Sequence, residues 1–380
     1  MRYESVDRLQ KLLADEVFHY TADAKKAAGR ALGTLVEIIT FYLLKSWNFH
    51  DSIAIETSLP EYGNPDITHN VEFSLHPILR ELSIDLSYTT LPFTSSRIVG
   101  QLPEELNPAL FHKVGTTLLT KDGILRNACT IAVGDTSHLV ATLTSQSKKK
   151  VGIGIVEQHL KPYAIFECKR VGVEEGMKKG PQTIEKAKQG AYVARAVSSL
   201  QKIRTASGEL HGLVHKPDKT IYSKPYSKLL SEIVASSDRQ LLNDFILTVG
   251  IVSNHGNWFT SANHNKELKV LAQSYDWLLF LTDDGLAEFI TELLLKPVAI
   301  LKPARDAFLV SYAAKKLKNR FTKVQMDLRA DSVLRSYFVT NVTRIKTWFN
   351  IIAPMGGTIN NLKAQMDQLR SKDWAEIHST

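Results

Sequence analysis

The segment Tyr163-Ala164-Ile165-Phe166-Glu167-Cys168-Lys169-Arg170 constrains the fold of this chain more than any other stretch. It opens as an apolar run, the pattern of a strand buried on both faces, and closes in Glu-x-Lys. Residues i and i+2 of a strand point to one face, so Glu167 and Lys169 are expected side by side at the rim of a sheet. A carboxylate and an ammonium so placed can hold a metal ion and a water together.

Upstream, Gly63-Asn64-Pro65-Asp66-Ile67-Thr68 puts a second carboxylate, Asp66, on a turn that leads into the strand-like Asn70-Val71-Glu72-Phe73. Residues 27–47 carry apolar side chains at helical spacing, with Glu37 inside the apolar stripe. A carboxylate there costs free energy unless it is paired, metal-linked or able to reach water at the stripe's edge. Downstream, the loop closed by Gly180-Pro181 precedes a helix running from Thr183, its cap, through Arg195. The apolar runs Phe245–Val252 and Trp277–Thr282 predict buried strands, and Asp283-Asp284-Gly285 turns from the second into a helix over 286–295. Helices and strands alternate in this way in an α/β fold.

Pro65-Asp66, Glu167 and Lys169, in that order and among those elements, resemble the PD-(D/E)XK nuclease superfamily over residues 25–295. The resemblance implies a restriction-endonuclease-like core, a mixed central sheet flanked by helices. It implies Mg2+, with Mn2+ as a substitute, held by Asp66 and Glu167, since hard cations prefer oxygen ligands. Lys169 would orient or deprotonate the attacking water and offset charge on the phosphorane. Glu37 would face the site from the first core helix, the alternative being an edge-exposed glutamate. Lys186, Lys188 and Gln189, near the start of the later helix, would approach a DNA backbone, the alternative being a solvated face.

The activity implied is sequence-specific cleavage of double-stranded DNA, most like a type II restriction endonuclease in a prokaryotic cytoplasm. A homodimer would match a palindromic site. Two other classes stay open: a structure-specific repair or recombination nuclease of the same fold, and a non-catalytic DNA-binding protein. No P-loop accompanies the motif, which argues against a motor-coupled enzyme.

Asp66 and Glu167 stand 101 positions apart, so the resemblance requires an insertion, expected at 78–150. Within it Asp135, in Val133-Gly134-Asp135-Thr136, is the rival first acid. Val151–Glu157 lacks the third glycine of a dinucleotide loop and predicts a strand or hairpin.

Charge is unevenly placed. From Lys296 onward the chain holds fifteen Lys and Arg against six Asp and Glu, while the remainder holds thirty-two against thirty-three. The domains expected are therefore a catalytic core, 1–295, and a basic, mainly helical region, 296–380, with helices over 304–318, 331–352 and 358–370. Lys315, Lys316, Lys318 and Arg320 form its densest basic run, an electrostatic footprint for a polyanion. Two cysteines, Cys129 and Cys168, supply neither a disulfide framework nor a zinc cluster. The expectation is a chain with no membrane span and no secretory signal.

Overall fold

The computed structural model describes residues 6–87, 91–147, 149–170, 181–253, 266–312 and 319–378. The chain is α/β, built on a mixed six-stranded sheet with helices on both faces. After a short helix α1 (Val6–Leu12), the long helix α2 (Ala24–Ser46) starts at Asp23, whose side chain accepts from the Lys26 amide. Strands β1 (Ile53–Glu61) and β2 (Asn64–Leu75) form an antiparallel hairpin turned at Gly63, which adopts φ +77°.

The chain then leaves the central sheet. Strands β3 (Ile78–Ser87), β4 (Phe93–Thr94), β5 (His112–Lys113), β6 (Thr117–Leu119), β7 (Ile124–Arg126), β8 (Cys129–Val133), β9 (Ser137–Gln146) and β10 (Lys150–His159) follow, with helix α3 (Ser95–Val99) among them. One sheet has the order β3-β10-β9-β8-β5, and Leu118, Ile131, Leu139 and Ile153 lie in a core separate from that of the main sheet. The chain returns as β11 (Ala164–Arg170), which pairs with β2. The inserted segment thus separates two strands that are neighbours in space.

Helix α4 (Pro181–Ala196) covers the far face of β11. A meander of β12 (Leu200–Arg204), β13 (Leu210–His215) and β14 (Ile221–Pro225) leads to α5 (Tyr226–Ala235) and α6 (Arg239–Leu242). The central sheet continues with β15 (Leu247–Ser253), then α7 (Lys266–Ser274), β16 (Trp277–Leu281), α8 (Asp283–Ile290) and α9 (Lys302–Tyr312). β15 and β16 run parallel to β11, and both are buried along their whole length, as their unbroken apolar sequences require.

The described part of the C-terminal segment is mainly helical and also contributes strands to two sheets. β17 (Gln325–Asp327) pairs with β7, α10 (Leu328–Thr340) packs on α2, and α11 (Val342–Lys346) leads into β18 (Phe349–Ala353), the sixth strand of the central sheet. The helix expected to reach Ile352 ends sooner because short apolar runs such as Phe349-Asn350-Ile351-Ile352 do not distinguish helix from strand, and an open sheet edge lay beside this one. Helix α12 (Ile359–Arg370) buries Ile359, Leu362, Met366 and Leu369 behind a Thr358–Asn361 capping box, and α13 (Trp374–Ile377) follows.

Helix α2 lies on one face of the sheet, stacking Phe41 on Phe73 of β2 with ring centroids 5.9 Å apart. By length and composition it is apolar enough to cross a membrane, which the sequence reading had not anticipated, yet 67% of its most apolar window is buried inside the protein. Tyr42 and Lys45 both reach Asp331 of α10, at 2.7 and 2.8 Å, tying the C-terminal segment to this helix.

Candidate active site

β11 holds the centre of the sheet, and its two edges behave differently. On one side it pairs with β15 throughout, to Arg170↔Ser253. On the other, pairing with β2 stops at Phe166↔Phe73, one residue before Glu167. The strands part at the carboxylate, and the Glu72 amide points at Glu167 Oε1 from 3.4 Å. Lys169 Nζ lies 3.5 Å from Glu167 Oε2, as the i, i+2 spacing predicts.

The Glu167 side chain is only 3% exposed, and two glycines make that burial possible. Tyr275 packs against Gly250 of β15 and Gly190 of α4, where an added Cβ would lie 2.7 Å and 2.6 Å from its nearest atoms. The same Cβ on Gly190 would lie 3.5 Å from Glu167 Oε2. Dry surroundings disfavour the charged carboxylate, so burial pushes the Glu167 carboxyl up to about 7, with Lys169 opposing. The Tyr275 hydroxyl is held well above its ordinary range, by burial first and by the Glu167 charge second.

Beside this pair lies a second cluster. Lys323, with its side chain 8% exposed, is ion-paired to Glu72 and sits 3.5 Å from Glu37 Oε2 and 3.1 Å from Glu56 Oε1. Burial raises the Glu37 carboxyl above its ordinary range, Lys323 and Lys169 pull it down, and Glu56 pushes it up. Glu37 therefore feels both lysines and links the two clusters.

Backbone strain marks the point where the carboxylates meet. Glu56 adopts φ +54°, rarely populated by a side-chain-bearing residue, between the ladder pairs Ile55↔Phe73 and Thr57↔Val71. Residues two apart on a strand normally share a face, but Phe73 packs with α2 while Val71 packs with Ile165 and Val197 on the other side. The hairpin swaps faces at Glu56 and Glu72.

Asp66 is not brought to Glu167. It lies exposed on β2, six residues before Glu72, which is about 20 Å along an extended strand. Asp135 lies exposed in the turn between β8 and β9, in the inserted sheet. Gln189 is exposed on α4; Lys186 and Lys188 share that helix, and their side chains fall outside the described part. Lys315, Lys316 and Lys318 lie outside the described residues. Arg320 pairs with Asp122 at 3.4 Å and Asp327 at 3.9 Å, so its charge joins the C-terminal segment to the inserted one.

The sequence reading missed Glu56, Glu72 and Lys323. Glu72 had a usable signal, since antiparallel pairing of the Phe73 and Phe166 strands sets it opposite Glu167. Nothing local marks Lys323, which arrives from 251 positions beyond Glu72.

No protein-family model, curated protein or solved structure matches this chain. Among the described residues no three His, Cys, Asp or Glu side chains converge as a ready metal cage. The donor set nonetheless suits a hard cation. Mg2+ is ordinarily held by one or two carboxylates with waters and substrate phosphate completing the shell, and Glu167 is a buried carboxylate whose Oε1 faces the amide of another acidic residue, Glu72.

Proposed function

We propose that this chain is a divalent-metal-dependent endonuclease that hydrolyses double-stranded DNA at specific sequences, resembling the type II restriction enzymes of the PD-(D/E)XK superfamily. One observation carries the reading. Glu167 and Lys169 lie side by side on a central strand, at the point where its antiparallel neighbour β2 splays away and its parallel neighbour β15 does not. The elements α2, β2, β11, α4, β15 and β16–α8 also run in the order that the resemblance implies.

Glu167 and Glu72 would hold Mg2+ or Mn2+, Glu72 standing in the place first expected for Asp66. Bound there, the ion would acidify water and neutralise charge on the phosphorane. The chain's own groups do the remaining work. Lys169 Nζ, one-third exposed, is near enough to Glu167 to position the attacking water and offset the negative charge that develops as it attacks. Tyr275, Gly190 and Gly250 exclude solvent behind Glu167, which strengthens every charge interaction in front of it. A homodimer would address both strands of a palindrome.

Incubating the full chain with plasmid DNA and Mg2+ tests the reading. Discrete fragments whose ends share a sequence are expected. Nicks confined to branched or damaged DNA would assign the fold to structure-specific cleavage. Intact plasmid in both Mg2+ and Mn2+ would leave only a DNA-binding role.

A further inference from the structure

We infer that the Lys323 ammonium takes the place of a second cation in this site, so that each chain binds one divalent ion and not two. The inference rests on the metal-dependent reading proposed above. Lysine is almost never fully buried without partners, and here one cation collects carboxylates from three elements, Glu37 of α2, Glu56 of β1 and Glu72 of β2.

The ammonium is delivered by a fixed segment. The Asn127 side-chain amide donates to the Lys323 carbonyl at 3.0 Å, and the Asn127 N–H donates to the Val324 carbonyl at 2.9 Å. Thr322 N–H closes a turn onto the Gln325 carbonyl at 2.8 Å, and β17 begins there, paired to β7. The inserted segment therefore holds Lys323 against the central sheet.

Charge sets the number of ions. Glu37, Glu56, Glu72 and Glu167 face Lys169 and Lys323, so four carboxylates meet two ammonium groups. With all four carboxylates ionised, the form a bound cation favours, one divalent cation offsets the remaining two negative charges. A second would leave the same excess with positive sign beside the largely buried side chains of Glu167, Glu72 and Lys323, which is costly. Glu37, Glu56 and Glu72 do not form a ready cage as they stand around the Lys323 ammonium, but once it is removed their oxygens are the donors on which a hard cation would draw them together.

The test is titration of the full-length protein with Mn2+ in the absence of DNA, counting bound ions by the loss of the free-ion electron paramagnetic resonance signal. Wild type is expected to bind one Mn2+ per chain, Lys323→Arg one, and Lys323→Met two, with circular dichroism melting reporting whether each variant is folded. Two ions in wild type or in Lys323→Arg would overturn the inference, as would a folded Lys323→Met that still binds one. If Lys323→Met does not fold, the wild-type and Lys323→Arg counts decide alone. No bound Mn2+ in wild type would overturn this inference and the metal-dependent reading together. A one-to-two change in a protein that cuts no DNA would keep the inference and remove only the nuclease reading.

Discussion

The amide of Glu72 points at Oε1 of Glu167 from 3.4 Å although 95 positions separate them in the chain. The contact exists because β2 and β11 are neighbours and the strands between them fold into other sheets, one of which they share with β17. A candidate active site is thus assembled across an insertion, and its members are readable only once the strand register is known.

Replacing Glu167 or Lys169 by Ala is expected to lower DNA cleavage by a factor on the order of 10² to 10⁴, the range for removing a catalytic proton-transfer or charge-stabilising group. DNA binding measured in Ca2+ should change little, because phosphate and base contacts elsewhere supply affinity. Near-normal cleavage by either variant would remove β11 from the chemistry.

Asp331 is a stability prediction independent of function. Its carboxylate receives the Tyr42 hydroxyl and the Lys45 ammonium, and the side chains of the ion pair are 5% and 11% exposed. Asp331→Ala leaves a buried ammonium without its counterion, for an expected loss of about 3–5 kcal/mol in urea unfolding. A loss under about 1 kcal/mol, the range of exposed pairs, would mean that water reaches Lys45.

His76 and His138 predict acid lability. His76 donates from Nδ1 to the His159 carbonyl, joining the link that follows β2 to the end of β10, and its ring lies edge-on to that of His138, with centroids 5.3 Å apart. Burial lowers His76 to about 3 and His138 to about 4. Folded values below the unfolded one mean that the unfolded chain takes up protons first. Stability is full above about pH 6.5 and falls as pH drops toward the folded values. At pH 5 the pair is expected to cost on the order of 4 kcal/mol. Urea midpoints at pH 7 and pH 5 measure it, and coincident midpoints would show that these rings are solvated.

Much of the fold was legible because burial on both faces leaves an unbroken apolar signature: β11, β15 and β16 lie where their apolar runs put them, and α2 follows the stripe of residues 27–47. β18 was not legible, since only an open sheet edge converts Phe349–Ala353 from helix to strand. In the site, Glu167 and Lys169 follow from strand parity alone. Glu72 needed the β2–β11 register, and Lys323 needed a loop held by Asn127 from another part of the chain.

Lys315, Lys316 and Lys318 are expected to differ from Arg320. If the three lysines hold phosphates, replacing them by Ala should reduce the slope of log affinity against log salt by about 0.9 per lost contact. Arg320→Ala should leave that slope unchanged, because its partners are Asp122 and Asp327, and should instead lower stability by less than about 1 kcal/mol. Equal slope changes from Arg320 and from the lysines would contradict this division.

The first acid decides the layout of the site. Three candidates exist, and their surroundings differ in what matters for holding a cation. Asp66 and Asp135 are exposed, where water solvates a carboxylate as well as a metal would, and neither is beside Glu167. Glu72 is 11% exposed and ion-paired to Lys323, and its own amide contacts Glu167. A buried carboxylate gains more from a cation because water no longer competes. Glu72→Gln is therefore expected to abolish cleavage and weaken Mn2+ binding, while Asp66→Asn and Asp135→Asn keep both within a few-fold of wild type. Loss of cleavage and of Mn2+ binding in Asp66→Asn would require the outer half of β2 to fold back onto β11 when metal or DNA is bound. The same losses in Asp135→Asn would move the metal site into the inserted sheet.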